Sequence, residues 1–319
     1  MSKIFRRLLP VALLNALCLL GVRSSAQTDG DAIMLKKNIF CAGAMYSYSS
    51  WTNYWEGTFK RDNLNLGRVS TEMYAIAGNY GITDRINFLF MAPYVKTNAT
   101  AGTLHGMKGV QDLSLMLKWM AFSKRFDAHQ RLSIYGVGRV SFPLTNYVVD
   151  YLPLSIGMRS KTAGLRAMVD YQRGKWFATA SAAYTLRSNV SIDRTAYYDT
   201  EMHNTNQVDM PDMSGYSFRA GYRTNTWIAE GVVENMTTLG GFDIRKNDMP
   251  FPSNKMNQTQ VGANVKYTMK KIRNLELTGG VRYVVAGRNV GQATTINGGI
   301  FYLMNFTGDR VNQTNIPKQ

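Results

Sequence analysis

The sequence predicts an all-β chain that folds into a transmembrane antiparallel up-and-down barrel of about twelve strands, in a range of roughly 10–14. Three observations predict this fold class. The chain begins with a stretch typical of export, it contains many segments of alternating apolar and polar residues, and the connections between those segments alternate between long and short. Segments of about ten alternating residues separated by turns are typical of barrels that cross a membrane.

The N-terminus of the 319-residue chain has the features of a cleaved signal peptide. Three basic residues within the first seven precede an apolar stretch at 8–22, and small residues at 24–26 end at the predicted cleavage site. Removal of residues 1–26 would lower the formal net charge from +16 to +12 and leave Cys41 as the single cysteine. An intramolecular disulfide is then impossible, so other interactions must stabilise the exported protein.

The remaining chain divides into one barrel with short flanking segments. The predicted parts are a signal peptide at 1–26, a short periplasmic N-terminal segment at 27–39, an outer-membrane β-barrel at 40–306 and a polar C-terminal tail at 307–319. The predicted strands lie near 40–51, 68–80, 85–96, 110–121, 131–142, 161–171, 176–187, 215–223, 226–237, 258–268, 275–287 and 296–306. An even number of strands is typical of a single-chain barrel.

The connections between the predicted strands separate this barrel from a soluble β-sandwich or solenoid. Taken in order, they alternate between short turns, such as 81–84, and long or polar stretches, such as 188–214. Outer-membrane barrels place short turns on the periplasmic side and long loops outside, whereas a soluble sandwich has no reason to do so. Both termini are therefore expected on the periplasmic side. Gly81 begins the first short turn, where a positive φ costs glycine nothing.

The two faces of the predicted strands differ in chemistry. The outward faces are rich in leucine, alanine and aromatic residues, and aromatic side chains near the short turns are expected to form a girdle at the membrane surface: Trp119, Tyr171, Trp176, Tyr222, Trp227 and Tyr267. The opposite faces carry charges. The predicted lumen-lining residues are Glu72, Arg85, Asp112, Lys118, Arg139, Arg166, Asp170, Arg219, Arg223, Glu230, Glu234, Lys266, Glu276 and Arg282.

These charges also make a specific prediction about strand register. If a two-residue loop lies at 224–225, Arg219 is directly opposite Glu230, and the two should form an ion pair inside the lumen. Basic residues outnumber acidic ones on the inward faces, so a positive field that favours anions is expected there. The basic residues are spread over the strands, which argues against a nucleic-acid surface.

Catalytic and metal sites have little support in the sequence. The three histidines show no metal-ligand spacing, and with one cysteine after cleavage there is no zinc motif, so we expect no metal and no cofactor. His203, with Asp199 and Asp209 in the longest loop, is the one loose arrangement for a barrel hydrolase, since a nucleophile and a base must converge. We therefore expect that the protein is not an enzyme.

Two stretches resemble a known family. Residues 80–87 read YGITDRIN and continue to APYV at 92–95, which resembles the YGITDRLN and LPYV segments of a bacterial outer-membrane family of transporter-like proteins named for the meta-pathway of phenol degradation. Residues 109–115 read GVQDLSL and precede KW at 118–119, which is similar to the next segment of that family. The resemblance implies a Gram-negative outer-membrane barrel that takes up small, often aromatic, compounds, and it carries over no ligand residues.

The function expected from the sequence is passive or gated passage of small solutes, including aromatic or anionic compounds. Barrels of about twelve strands lie between side-chain-filled eight-stranded barrels and wide porins, which favours a narrow pathway. The expected surroundings are outer-membrane lipid, and the expected state is a monomer. The alternative is a structural or surface-interaction barrel with a closed lumen, and a barrel-embedded hydrolase is the third hypothesis.

Overall fold

Twelve long antiparallel strands form a closed barrel, as the sequence predicts. The computed structural model describes residues 28–245, 248–269, 272 and 274–306, so the predicted signal peptide, residue 27 and the C-terminal tail lie outside the described residues. The strands are β1 (Ile39–Trp51), β2 (Val69–Gly81), β3 (Ile86–Ala99), β4 (Asp112–Arg125), β5 (Gln130–Pro143), β6 (Thr162–Arg173), β7 (Trp176–Arg187), β8 (Met213–Arg223), β9 (Trp227–Thr238), β10 (Asn257–Thr268), β11 (Leu275–Arg288) and β12 (Thr294–Asn305).

Each strand pairs with its neighbours in the chain, and β1 also pairs with β12, which closes the sheet. The predicted alternation of connections is present. Short turns at one end, such as 82–85, alternate with longer connections at the other, and these contain short strands of their own: Asn53–Glu56, Phe59–Asp62, Lys108–Val110, Val190–Ser191, Tyr197–Tyr198, Met202–His203 and Gln207–Val208. Among the described residues, no helix is long and apolar enough to cross a membrane.

The register of the β8–β9 hairpin differs from the predicted one. Arg219 lies opposite Val232, so the register is shifted by two residues from the predicted Arg219–Glu230 alignment. The turn begins one residue later than expected because the Thr224 hydroxyl accepts hydrogen bonds from the backbone N–H groups two and three residues further on, at 3.2 and 2.8 Å. A shift of two residues keeps every side chain on its face, so Arg219 still reaches Glu230 diagonally.

Residues 28–38, which we call the N-terminal segment, fold back into the barrel from the short-turn end. The sequence predicts a periplasmic position for this stretch, but Leu35 is fully buried against Cys41 and Leu303 on the inward faces of β1 and β12. The Asn38 N–H donates to the Gly81 carbonyl oxygen at 2.8 Å. Glycine is required at position 81 by this close approach rather than by its φ, because a Cβ there would lie 2.0 Å from the carbonyl oxygen of residue 36.

Candidate functional site: the barrel lumen

The outward surface of the barrel is apolar and exposed. Near the short turns, the Trp176 and Tyr222 rings lie 5.3 Å apart and the Trp227 and Tyr267 rings lie 4.4 Å apart, measured between centroids. The Trp176 side chain is 67% exposed. Monomeric soluble proteins rarely leave a continuous apolar belt of this kind in water, whereas lipid-facing strands with aromatic rings at the headgroup level require one.

The inward face holds most of the side chains that the sequence predicts there. Strand pairing places twelve of the predicted residues on this face: Asp112, Lys118, Arg139, Arg166, Asp170, Arg219, Arg223, Glu230, Glu234, Lys266, Glu276 and Arg282.

Two of the predicted lumen-lining residues lie elsewhere. Glu72 is on the outward face of β2, where its carboxylate accepts a hydrogen bond from the Tyr74 hydroxyl at 3.0 Å and lies 3.5 Å from the Lys96 ammonium. It can lie outside because it is close to the long-loop end of the strand, where the apolar belt gives way to water. Arg85 is exposed in the turn at 82–85, since β3 begins one residue later.

The predicted ion pair between Arg219 and Glu230 is present inside the barrel. The Arg219 guanidinium lies 3.1 Å from the Glu230 carboxylate and 3.2 Å from that of Glu234. The side chain of Arg282 extends this network, with its Nε atom 3.5 Å from Glu234. Since the Arg219 and Glu230 side chains are only 11% and 8% exposed, the pair is shielded from solvent and fixes one side of the lumen.

A second network lies nearer the short turns. Arg223 is 3.2 Å from the carboxylate of Asp170, which is fully buried and also accepts a hydrogen bond of 2.6 Å from the Thr179 hydroxyl. The Arg223 guanidinium carbon lies 4.0 Å from the centre of the Phe177 ring. Arg223 and Asp170 are thus paired with each other within the wall itself.

Lys118 joins the wall to the N-terminal segment. Its fully buried ammonium group donates to the Thr28 carbonyl oxygen at 2.6 Å, to the Asp31 carbonyl oxygen at 2.7 Å and to the Asp31 carboxylate at 3.1 Å. The Lys266 ammonium lies 3.8 Å from the same carboxylate. On β5, the strand that pairs with that of Lys118, the Tyr135 hydroxyl donates to the carbonyl oxygen of residue 32 at 3.1 Å. The segment is therefore held across the lumen by polar contacts with several strands.

A second carboxylate of the N-terminal segment is held more loosely. Asp29 lies 3.9 Å from the guanidinium of Arg139 and 3.7 Å from that of Arg166. Both distances exceed a normal charge-assisted hydrogen bond. The two arginines also donate to wall hydroxyl groups, Arg139 to Ser114 at 3.2 Å and Arg166 to Ser181 at 3.3 Å.

The two segment aspartates change the charge balance of the lumen. Among the twelve predicted residues that face inward, seven are basic and five are acidic. Asp29 and Asp31 bring the acidic total to seven, so the two carboxylates offset the basic surplus among these residues while the segment is in place. Sequence reasoning missed this because it assigned residues 27–39 to the periplasm. The sequence feature that could have indicated these contacts is the pair of acidic residues just after the predicted cleavage site, in a protein whose predicted lumen is otherwise basic.

The long-loop end is covered by an apolar cluster that we call the outer cap. Loop residues Tyr147, Val149, Val190, Ile192 and Val208 pack together with Val95, which projects inward from β3. In the same region, the inward Thr97 hydroxyl donates to a loop carbonyl oxygen, that of the fully buried Leu154, at 2.6 Å. The loops thus enter the mouth of the barrel instead of extending away from it.

A polar cavity remains in the part of the lumen nearer the long-loop end. Its volume is about 280 Å³, and its inward lining includes Arg139, Arg166, Thr185, Met213, Ser217, Glu234, Met236, Gln258 and Gln260. It is small compared with typical ligand pockets of several hundred Å³, but it is lined by many hydrogen-bonding groups.

The histidine considered for catalysis lies outside the lumen lining. The His203 ring is 3.0 Å from the Asp199 carboxylate and stacks on the Tyr197 ring at 4.6 Å, whereas Asp209 is exposed further along the same loop. Burial raises the pKa of Asp199, but hydrogen bonds from nearby backbone N–H groups and from His203 outweigh it, so this pKa lies below its usual value. Within the described ranges, no group of three or more histidine, cysteine or acidic residues could hold a metal ion.

Comparisons with known proteins bear on the fold. No protein-family model matches the sequence, and no curated protein matches it. An outer membrane channel from Pseudomonas putida F1 has a similar structure, with a TM-score of 0.68 and 15% identity over 88% of this chain and 99% of that chain. The TodX monoaromatic hydrocarbon channel (deltaS2 mutant) has a TM-score of 0.44 and 11% identity, and the match covers 90% of this chain and 97% of that chain. The NanC porin has a TM-score of 0.42 and 7% identity, and the match covers 82% of this chain and 98% of that chain. The chain has the fold of an outer-membrane β-barrel, and a likeness of 15% identity shows the fold alone.

Proposed function

We propose that the protein is a monomeric outer-membrane channel that passes small solutes when the N-terminal segment leaves the lumen. The observation that carries this proposal is the nature of the obstruction. The middle of the lumen is filled by a separate stretch of chain, residues 28–38, that contacts the wall through individual polar contacts and a few buried apolar side chains such as Leu35, and contributes no strand to it. Moving such a segment breaks those contacts but leaves the closed sheet intact.

The charges of the wall favour anions in the open state. With the segment docked, Asp29 and Asp31 lie beside Arg139, Arg166, Lys118 and Lys266 and offset the basic surplus among the predicted lumen-lining residues. Undocking would remove both carboxylates and leave a surplus of two positive charges among the predicted lumen-lining residues. Rings or clusters of basic side chains select anions in narrow pores. We expect small anions to pass more readily than cations of the same size.

The runner-up function is a closed barrel that serves as a structural or surface-interaction scaffold. One observation favours it: the lumen is obstructed from both ends. The N-terminal segment, held by the buried Lys118–Asp31 contact, fills it from the short-turn end, and the outer cap covers the long-loop end. In this alternative, the segment stays docked and the cap loops provide the functional surface.

Conductance across a planar bilayer distinguishes the two functions. A variant lacking residues 28–33 is the positive control, because it shows whether the lumen is continuous once this part of the segment is removed. The variant retains the contact of Leu35 with the wall. If the channel proposal holds, the full chain opens intermittently and the deletion variant stays open longer at the same unit conductance or a larger one. If the full chain remains closed at every voltage while the deletion variant conducts, the scaffold is favoured. The reversal potential in a salt gradient then tests the preference for anions.

A further inference from the structure

Arg139 and Arg166 differ from Arg219 and Arg223 in how they are paired. Arg219 and Arg223 lie 3.1–3.2 Å from wall carboxylates, and their side chains are 11% and 12% exposed. Arg139 and Arg166 are 42% and 25% exposed, and the carboxylate near them, that of Asp29, belongs to the N-terminal segment. The wall thus neutralises Arg219 and Arg223 itself, whereas Arg139 and Arg166 lie near a carboxylate that is not part of the wall.

These two arginines also line the polar cavity of about 280 Å³. Beyond them, the cavity presents hydroxyl groups of Ser217 and Thr185, a side-chain amide of Gln258 and the carboxylate of Glu234, which is paired with Arg219 and Arg282. Two guanidinium groups recognise a carboxylate, and hydroxyl and amide groups recognise the hydroxyl groups of a polar solute. The cavity is therefore suited to a small, hydroxylated organic carboxylate.

We propose that Arg139 and Arg166 bind the carboxylate of a small polar solute at the position that Asp29 occupies when the N-terminal segment is docked. This inference rests on the proposed channel function and names its substrate class. Solute and Asp29 compete for the same guanidinium groups, so solute binding removes the contact of the segment that lies nearest the cavity. The distances of 3.7 and 3.9 Å from Asp29 to the arginines leave this contact weak enough to be exchanged.

Binding of gluconate to the full chain in detergent tests the site directly. Gluconate supplies one carboxylate and several hydroxyl groups, and sorbitol is its neutral counterpart with the same carbon skeleton. Titration calorimetry should show binding of gluconate and none of sorbitol. The single variants Arg139→Gln and Arg166→Gln should each weaken gluconate binding at least tenfold, and Arg131→Gln, an arginine that does not line the cavity, should leave it unchanged.

The variant Asp29→Asn tests the competition. Because exposed ion pairs are each equivalent to a factor of roughly 1.4–5 in an equilibrium constant, the loss of two should tighten gluconate binding about fivefold. This variant removes a charge at the edge of the segment and should not impair folding, and a heat-dependent shift on a detergent gel verifies that each variant is folded. Equal binding of gluconate and sorbitol, or an affinity unchanged by Asp29→Asn and by both arginine variants, would overturn the proposal.

Failure of the carboxylate site and failure of the proposed channel function give different results. A protein that conducts ions but binds no gluconate refutes the carboxylate site and leaves the channel standing. A protein that binds gluconate through Arg139 and Arg166 but never conducts refutes the channel and leaves a binding site inside a closed barrel.

Discussion

Replacing Lys118 with methionine should release the N-terminal segment from the lumen. The Lys118 ammonium is fully buried and donates to the Thr28 carbonyl oxygen, the Asp31 carbonyl oxygen and the Asp31 carboxylate, all within 3.1 Å. Methionine is similar in length and apolar, so the variant removes the charge without leaving a large cavity. The Asp31 carboxylate would then be left beside Lys266, which is 3.8 Å away.

The size of the effect follows from the burial of this contact. Breaking a buried ion pair by removal of one partner costs about 3–5 kcal/mol. The lower end applies because Lys266 still faces Asp31, and about 3 kcal/mol lowers the ratio of docked to undocked segment by roughly two orders of magnitude. The predicted result is a rise of that order in the ratio of open to closed time in planar bilayers, up to the point at which the channel is permanently open.

The matched control is Lys96→Met. Lys96 also lies beside a carboxylate, at 3.5 Å from Glu72, but it is on the outward face and its side chain is 52% exposed. The same chemical change there should leave the open fraction unaltered. If Lys118→Met gives a heat-modifiable barrel whose open fraction equals that of the full chain, the N-terminal segment does not control passage and the reasoning is refuted.

Three further predictions concern the outer cap and the barrel. Hydrogen bonds from Arg288, at 2.7 and 2.6 Å, hold the pKa of Asp243 at about 2, below its ordinary 3.8. The Arg288–Asp243 contact therefore contributes stability that is present above pH 4 and is lost as the pH falls towards 2. Hydrogen exchange in loop 239–256 should therefore increase over that interval, and an Asp243→Asn variant that keeps the same pH dependence would contradict the assignment. Tyr147→Phe removes two hydrogen bonds of 2.7 Å, one to the Asp112 carboxylate and one from the Arg159 N–H, which should destabilise the outer cap by about 1–3 kcal/mol. Proteolysis should then become faster in loop 144–161 alone, and an unchanged cleavage rate there would contradict this role of Tyr147. Finally, the unheated protein should migrate differently from the boiled protein on a detergent gel, and identical mobility would exclude a closed barrel.

The wall of the barrel could be predicted from the sequence because its strands are recognised from patterns among residues that are close in sequence. Side chains alternate along each strand, so period-2 patterns identify both the strands and their two faces without knowledge of any distant contact. Register is less local, since it depends on where a turn begins. At the β8–β9 hairpin, the Thr224 hydroxyl moved the turn by one residue, and the error in pairing was two residues, which left the Arg219–Glu230 contact intact.

The contents of the lumen could not be predicted in this way. The N-terminal segment has no periodicity, and its contacts are remote in sequence: Thr28 meets Lys118, and residue 32 meets Tyr135. The outer cap is similar, because apolar residues such as Val190 and Ile156 come from different loops and meet Val95 of the wall. Glu72 was misplaced for a related reason. Alternation assigns a side chain to one of two faces, but it does not show where along a strand the membrane ends.

The stretch that resembles a known family has a structural role that its pattern did not indicate. It contains the first short turn, and this turn receives the N-terminal segment: the Gly81 carbonyl oxygen accepts from the Asn38 N–H at 2.8 Å, and the Asp84 carboxylate accepts from the Lys37 N–H at 2.9 Å. Glycine is needed because a Cβ at position 81 would collide with the carbonyl oxygen of residue 36. The motif therefore fixes the point from which the segment enters the lumen, and any movement of residues 28–35 would hinge on the residues held there.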